Sequence, residues 1–140
     1  MMQIEEILEK FKIIAVVGCS KNETKYAHTV PKYMKEMGYK IIPVNPYADE
    51  ILGEKCYKSL LDLPDDLAKT IEIVDVFRPS DDVGNVVDEA IELRKKYSAP
   101  HVIWMQLGII NEDAAERARS AGFEVIMNRC ISVEHRKIST

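Results

Sequence analysis

The stretch Ile13–Pro46, IIAVVGCSKNETKYAHTVPKYMKEMGYKIIPVNP, decides the fold of this 140-residue chain. It begins with a run of apolar, mostly β-branched residues, Ile13–Val17, which is typical of a strand buried on both faces. A polar loop follows Gly18, a helical pattern ends near Gly38, and a second apolar run closes on Asn45-Pro46. Strand, loop, helix and strand in this order predict a βαβ unit, and the first loop of such a unit is where phosphate-bearing ligands bind.

Local signals set the expected boundaries around this unit. Its helix is expected to begin between Ala27 and Pro31, with Thr29 as the cap and Pro31 in the first turn. Apolar residues at helical spacing predict a short amphipathic helix at residues 3–11. The connection after the unit, Ala48–Lys58, has mixed charges and is expected to be irregular.

The rest of the chain continues the alternation of strand and helix. Strands are predicted at Ile71–Phe77, His101–Met105 and Phe123–Met127. Helices are predicted from Ser80 to Tyr97 and after Asn111, and Asn128–Thr140 is expected to be a basic tail with one turn of helix. This rhythm predicts a single α/β domain over residues 1–140, a Rossmann-like three-layer α/β/α fold with a five-stranded parallel sheet. Right-handed crossovers favour the strand order 3-2-1-4-5, with a crevice between the first and fourth strands.

Composition limits the classes of function. Hydrophobic residues make up 46% and charged residues 30%, as in soluble globular proteins, and a net charge of -4 argues against broad nucleic-acid binding. No apolar run approaches the roughly 20 residues of a membrane span, and the acidic N-terminus is no secretory signal, so we expect a cytoplasmic protein. Cys19, Cys56 and Cys130 lack metal-site spacing and indicate reduced thiols. The many Lys and Glu residues favour a thermostable protein.

The first loop differs from that of dinucleotide-binding proteins. It lacks the G-x-G-x-x-G glycines, and the second strand ends at Val44-Asn45 without the acidic residue that holds ribose hydroxyls, so NAD is disfavoured. A P-loop motif for ATP is also absent from the sequence. The loop does offer Gly18 for the turn, the Ser20 hydroxyl, and the cations Lys21 and Lys25 beside a helix N-terminus. These groups suit a multiply phosphorylated nucleotide, and coenzyme A (CoA), with a pyrophosphate and a ribose 3′-phosphate, fits them.

Several motifs in order carry a family resemblance: VVGCSKN, IIPVNP, VDVFRPS, IWMQLGI and MNRCISVEH. Together they resemble the small single-domain CoA-binding proteins, which are similar to the N-terminal CoA-binding domain of succinyl-CoA synthetase alpha subunits and ADP-forming acyl-CoA synthetases. The resemblance extends from about Ile13 to Ile131. The contacts with CoA that it and the loop chemistry imply are Gly18, Cys19, Ser20, Lys21, Asn22 and Lys25 in the first loop, Pro43, Val44 and Asn45 at the second strand, Phe77, Arg78 and Pro79 near the adenine or its ribose, and Met105, Gln106, Leu107 and Gly108 beside the pantetheine arm.

The chain departs from the synthetase pattern in two respects. Gln106-Leu107 stands where a carboxylate is expected, and the domain with the phosphorylated histidine of those enzymes is missing. We therefore expect a protein that binds CoA or acyl-CoA without catalytic residues of its own and without a metal. Two alternatives remain open: a subunit of an acyl-CoA-handling enzyme whose protein partner supplies the chemistry, and an NAD(H)-binding redox-sensing domain. Apolar residues in the N-terminal helix leave a monomer and a homodimer both open.

A few isolated residues carry hypotheses of their own. Cys19 and Cys130 both follow predicted strands near the crevice, where either thiol would meet the thiol of CoA and form a mixed disulfide. The simpler interpretation is that both are small buried thiols. His28 lies close to the first loop, where it is either structural or in contact with a phosphate, and Asp75 inside the third strand is interpreted as a buried acid.

Overall fold

The computed structural model describes residues 1–139; Thr140, the end of the expected tail, lies outside the described residues. The strands are β1 (Ile13–Val17), β2 (Lys40–Val44), β3 (Glu50–Ile51), β4 (Glu54–Lys55), β5 (Ile73–Val76), β6 (Val102–Met105) and β7 (Glu124–Ile126). The α-helices are α1 (Ile4–Lys10), α2 (Tyr26–Glu36), α3 (Asp65–Ala68), α4 (Val83–Tyr97), α5 (Glu112–Ser120) and α6 (Ile131–Ile138). Two 3₁₀ turns, Leu60–Asp62 and Ser80–Asp82, precede α3 and α4.

Five strands form one parallel sheet in the order β2-β1-β5-β6-β7, and β3 and β4 form a separate antiparallel hairpin. The predicted Rossmann-like fold with a five-stranded parallel sheet is therefore confirmed. The third strand of the sheet, β5, was expected beside β2 but lies beside β1. β1 therefore has two neighbours, β2 and β5, and pairs with β5 through Ile14 and Ile73. Counted along the chain, the strands of the sheet follow the order 2-1-3-4-5 rather than 3-2-1-4-5.

The handedness of the connections permits both orders, so the alternation of strands and helices does not decide between them. A right-handed crossover moves towards one side of a sheet when it covers one face and towards the other side when it covers the opposite face. Helix α2 joins β1 to β2 on one face, whereas the connection from β2 to β5 packs through Leu60 and Ala68 with α4 on the other. The chain therefore returns past β1, and the strand order reverses between β1 and β5.

A hydrophobic core lies on each face of the sheet. The first core packs α4 and α5 against the sheet, and the second core packs α1, α2 and α6 against the opposite face. Side chains of β5 alternate between them: Val74 lies in the first core and Ile73 in the second. Every residue of β5 and β6 is buried, as expected for central strands of a parallel sheet with helices on both faces.

Two predicted segments are more regular than expected. The connection Ala48–Lys58 contains the hairpin β3–β4, which turns through Leu52 and Gly53 with φ of 57° and 74°. The C-terminal tail forms the eight-residue helix α6, and its Ile131 is buried in the second core. Among the described residues, no helix has both the length and the apolar character needed to cross a bilayer.

The predicted start of α2 is wrong. The helix begins at Tyr26, with Lys25 in the cap position, so Thr29 is not its cap and Pro31 lies inside the helix. The prediction for α5 is confirmed, because the Asn111 side chain caps it by accepting a hydrogen bond from the backbone N–H of Ala114 at 2.9 Å. Residue type alone suggests both caps, but only Asn111 directly precedes a helical run.

Candidate nucleotide-binding site

The strand order reverses between β1 and β5, and the loops that follow these two strands diverge at the carboxyl edge of the sheet. In open α/β sheets, ligands bind in the crevice outside the carboxyl ends of the strands at such a point. The two loops here are Gly18–Lys25 and Phe77–Asp82. The loop after β6, expected to flank the crevice directly, lies one strand further along the sheet.

Gly18 marks the closest approach of the two loops. Its φ is +90°, and a Cβ atom at this position would lie 2.6 Å from the carbonyl oxygen of Phe77 and 3.2 Å from Cδ of Arg78. The backbone is fixed on both sides, because the Gly18 N–H donates to the carbonyl of Val44 at 2.9 Å and the Phe77 N–H to that of Val17 at 2.8 Å. Both the positive φ and the missing side chain are therefore required here.

The proline inside α2 anchors the first loop. Because Pro31 has no N–H, the carbonyl of Ala27 has no donor one turn later in the helix. The backbone N–H of Ser20 donates to this carbonyl at 3.1 Å. The Ser20 carbonyl in turn lies 2.7 Å from Nδ1 of His28, so one ring nitrogen of this buried histidine is engaged with the loop. The loop is thereby joined to the first two turns of α2.

Polar side chains inside the loop maintain its shape. The Ser20 hydroxyl accepts from the Asn22 N–H at 3.0 Å, and Asn22 Oδ1 accepts from the Thr24 N–H at 3.0 Å and its hydroxyl at 2.6 Å. Two predicted ligand contacts, Ser20 and Asn22, thus have a structural role. Such local side-chain bonds stabilise turns and hold the backbone groups that remain free in fixed directions.

Free donors and cations remain on the same loop. Within residues 1–139, the backbone N–H groups of Lys21, Tyr26 and Ala27 donate to no protein acceptor. The side chains of Lys21 and Lys25 are exposed, and neither forms an ion pair in the described part of the chain. Free N–H groups at the start of an α-helix, together with unpaired cations, attract a phosphate.

The end of β2 supports this loop. Nδ2 of Asn45 donates to the Cys19 carbonyl at 2.8 Å, and Oδ1 of Asn45 accepts from the Tyr47 N–H at 2.8 Å. Both polar ends of this predicted contact residue are therefore engaged within the protein. Pro43 is buried in β2 opposite Val16 and exposes no side chain at the loop.

A polar cleft of 220 Å³ opens on the α4 face of the sheet beside Gly18. Arg78 and Lys58 line it, each with a nearby carboxylate: Arg78 Nη2 lies 2.9 Å from Asp82, and Lys58 Nζ lies 3.6 Å from the exposed Asp49. Burial raises the pKa of Glu89 at the same cleft. The full lining comprises Val17, Gly18, Val44, Pro46, Lys58, Ser59, Arg78, Asp82, Asn85, Val86 and Glu89.

An apolar cleft of 430 Å³ opens on the opposite face, between α2, α6 and the loop after β6. Its rim is strongly exposed, with Tyr26 82% and Leu107 69% accessible. Apolar walls with a few polar groups are typical of small-molecule sites. The full lining comprises Tyr26, Val30, Phe77, Gln106, Leu107, Ile109, Cys130 and Val133.

The structure distributes the predicted contact residues among several places. Gly18, Val44 and Arg78 line the polar cleft, Phe77, Gln106 and Leu107 line the apolar cleft, Lys21, Asn22 and Lys25 are exposed on the first loop, and Pro79 and Gly108 are exposed outside both clefts. Cys19 and Met105 are 0% exposed inside the second and first cores. The side chains of these two residues therefore cannot contact a ligand in this structure, because the inward positions at the strand ends are filled by the packed core.

The two cysteines near the crevice differ in reactivity. Burial, followed by the charges of Cys56 and Asp75, raises the pKa of Cys19 to about 12, so its thiol stays protonated and inert. Burial would also raise the pKa of Cys130, but hydrogen bonds from Ser132 and its neighbours outweigh burial and lower it. Of the two proposed reactive thiols, only Cys130 therefore retains the properties of one.

Several residues of the clefts escaped the sequence-based prediction. Lys58 lies in the segment expected to be irregular, and Tyr26 lies one residue before the predicted start of α2. Val133 lies in α6, of which the sequence predicts only one turn. A signal for α6 was present, because Ile131 and Ile138 are seven residues apart and so lie on one helical face. No comparable pattern distinguishes Lys58 from the other lysines.

Comparisons with known proteins add a family relationship. The sequence model of the family described as CoA binding domain matches residues 12–136. The uncharacterized protein YneT of Bacillus subtilis (strain 168) is 43% identical over 133 residues, which cover 95% of this chain and 92% of YneT. The solved structure of a hypothetical protein from Pyrococcus horikoshii OT3 superposes with a TM-score of 0.88 at 39% identity, covering 98% of this chain and 90% of that one.

One relative with a stated activity is much longer. The ADP-forming acetate–CoA ligase I of Archaeoglobus fulgidus is 28% identical over 135 residues. These residues make up 91% of this chain but 19% of the ligase. The similarity therefore concerns one part of that enzyme.

Proposed function

This chain belongs to the CoA-binding domain family, and from that premise we propose that it binds coenzyme A or an acyl-CoA at the carboxyl ends of β1, β2, β5 and β6. The observation that carries the proposal is the first loop, where free backbone N–H groups and the cations Lys21 and Lys25 lie at the start of α2. Two clefts open on the two sides of this loop, and the one beside Gly18 has more charged side chains in its lining, which suits a ligand with a charged nucleotide and an uncharged arm.

The phosphates of CoA are proposed to contact the first loop. The free N–H groups of Lys21, Tyr26 and Ala27 would donate to pyrophosphate oxygens, and the helix dipole of α2 would add to their attraction. Lys21 and Lys25 supply mobile positive charge for the additional ribose 3′-phosphate. Fixed donors with flexible cations are a common means of holding several phosphates at once.

The two clefts give the remaining parts of CoA separate environments. The polar cleft, with Arg78 and Lys58, suits the adenine and its ribose, because a guanidinium can stack on a base. The apolar cleft, with Phe77 and Leu107, suits the pantetheine arm, whose length of uncharged chain would cover exposed apolar surface. The Gln106 side chain provides a polar group within this cleft.

We propose a single binding domain that holds CoA or acyl-CoA without catalysing a reaction itself. The relationship to the ligase supports binding only, since the match covers 19% of that enzyme and transfers none of its activity to this chain. A second candidate function, a subunit of an acyl-CoA-handling enzyme, is supported by the same relationship. Affinity purification under native conditions separates the two: recovery of a stoichiometric partner that confers turnover of acyl-CoA supports the subunit, and CoA binding with no such partner supports the free-standing carrier.

Ligand-dependent thermal unfolding tests the proposed binding. Because CoA would bind only the folded protein, a concentration of one hundred times the dissociation constant stabilises the fold by about 2.7 kcal/mol and raises the melting temperature. The scan should extend to high temperature, since the Lys and Glu content leads us to propose a heat-stable fold. A melting temperature that is unchanged by millimolar CoA would contradict the proposal.

Lys21→Ala is expected to weaken binding of CoA about fivefold to tenfold while changing the affinity for dephospho-CoA much less, because an exposed ion pair with the 3′-phosphate contributes about 1 kcal/mol. The matched control is Lys40→Ala, which removes the same charge from an exposed residue at the opposite, amino end of β2. Affinities of both variants for both ligands decide the matter. An unchanged ratio between CoA and dephospho-CoA in the Lys21 variant would show that Lys21 does not contact the 3′-phosphate.

A further inference from the structure

Cys130 lies at the junction of the apolar cleft and α6. It lines the cleft, occupies the N-cap position of α6, and is half-buried. Its sulfur lies 3.2 Å from the Ser132 hydroxyl. A thiol at the N-terminus of a helix receives the positive end of the helix dipole and the N–H groups of the first turn, both of which favour the thiolate.

Gln106 holds this arrangement in place. Its Oε1 accepts from the Ile131 N–H at 3.1 Å, which fixes the start of α6, and the same side chain helps to lower the pKa of Cys130. Burial would raise the pKa of Cys130, but the bonds from Ser132, Val133 and Gln106 together lower it below the ordinary thiol value. A carboxylate in place of Gln106 would keep the bond to Ile131 but repel a thiolate.

A buried acid lies on the same sheet face as one wall of the cleft. Asp75 projects from β5 on the same sheet face as Phe77, two residues further on, and is 1% exposed. Within residues 1–139, its Oδ1 has no hydrogen-bond partner. Burial, and then the charge of Cys130, raises the pKa of Asp75. A buried, unpartnered polar atom is costly in a native protein.

We propose that Cys130 is a thiol-exchange site that forms a mixed disulfide with the pantetheine thiol of CoA seated in the apolar cleft. The inference rests on the proposed function, since it requires the arm of CoA in that cleft. The co-reactant is a CoA disulfide. The Cys130 thiolate attacks one sulfur of that disulfide, the bond between Cys130 and CoA forms as the disulfide bond breaks, and the second CoA leaves as a thiolate that takes up the proton lost by Cys130. Cys130 is oxidised and the departing CoA is reduced, so no other oxidant is needed.

The test exposes the full-length protein to CoA disulfide and, separately, to cystamine, a small disulfide without a nucleotide. Adducts are followed by intact mass, and each rate is divided by the rate of the same disulfide with free N-acetylcysteine. We expect one CoA per chain, attached to Cys130, at a normalised rate at least tenfold above that of cystamine. Cys130→Ser should abolish the adduct, whereas Cys56→Ser, which removes a buried cysteine that does not line the apolar cleft, should keep it.

Two further variants test the environment of the thiol. Gln106→Glu should slow adduct formation at pH 7 at least tenfold and shift its pH profile upward, and Ser132→Ala should slow it several-fold. Unfolding curves show whether each variant is folded. If Gln106→Glu does not fold, Ser132→Ala alone tests the environment of the thiol. An adduct on another cysteine, or a normalised rate equal to that of cystamine, would overturn the inference. Titration with reduced CoA separates the two proposals: reduced CoA that binds while CoA disulfide leaves Cys130 unlabelled sinks this inference alone, and reduced CoA that does not bind sinks both.

Discussion

Gly18→Ala is expected to lower the free energy of unfolding by about 3 kcal/mol or more and to abolish detectable CoA binding. The positive φ of Gly18 alone costs an L-residue about 1–2 kcal/mol. The added Cβ atom would also lie 2.6 Å from the carbonyl oxygen of Phe77, and that oxygen belongs to backbone that cannot rotate away. The loops after β1 and β5 must therefore separate, which disrupts the proposed phosphate site. Urea denaturation followed by circular dichroism measures the change in stability.

Gly38→Ala provides a matched control at the end of α2. Gly38 has a similar φ of +96°, but a Cβ atom there would meet no heavy atom within 4 Å. It should therefore cost only the backbone strain, about 1–2 kcal/mol, and leave CoA binding intact. Equal losses of stability in the two variants would mean that the contact between Gly18 and Phe77 adds nothing.

Asp75→Asn is expected to make the protein more stable than the wild type at pH 8 and to flatten the dependence of its stability on pH. Burial, and then the charge of Cys130, raises the pKa of Asp75 well above its ordinary value of about 3.9. The folded protein therefore keeps a proton that the unfolded chain has lost. Between the ordinary and the raised pKa, this group reduces stability by up to about 1.4 kcal/mol for each unit of rising pH. Asparagine cannot ionise, so this loss disappears.

The measurement is urea denaturation of both proteins at several pH values from 5 to 9. The control Asp81→Asn changes an exposed carboxylate and should keep the slope of the wild type. Cys130 also interacts with Asp75, so the comparison is repeated with Cys130→Ser to separate the titration of this thiol from that of the acid. An Asp75→Asn variant with the same slope as the wild type would show that this carboxyl does not stay protonated in the fold.

The sheet could be predicted from sequence because buried parallel strands carry an unmistakable pattern. Ile13–Val17 is continuous and apolar in the sequence and forms β1 with the same bounds. The position of the third strand could not be predicted, because it depends on which face the connection after β2 covers. That choice is made by tertiary packing of Leu60 and Ala68 against α4, which leaves no local signature.

The candidate site was predictable in outline and less so in its atomic roles. Lys21 and Lys25 lie in the predicted loop, because the polar segment between a buried strand and a helix can only lie at the carboxyl edge of the sheet. Ser20 and Asn45 form hydrogen bonds within the protein that the sequence does not reveal. Asn45 donates to the carbonyl of Cys19, which is distant in sequence, and the Ser20 N–H donates to the carbonyl of Ala27, a bond that depends on where α2 begins. The Ser20 N–H can donate to the Ala27 carbonyl because Pro31 lies inside α2 and leaves that carbonyl without a donor. The sequence argues against this placement, since proline usually prefers the first turn of a helix.

The most direct test of the central claim is calorimetric titration of the purified protein with CoA, dephospho-CoA and NAD in parallel. We predict one CoA bound per chain, weaker binding of dephospho-CoA, and no heat of binding with NAD. Binding of NAD with CoA silent would contradict the account: the loop from Gly18 to Lys25 would then be a dinucleotide site without the usual glycines, and the redox-sensing alternative would replace the CoA carrier.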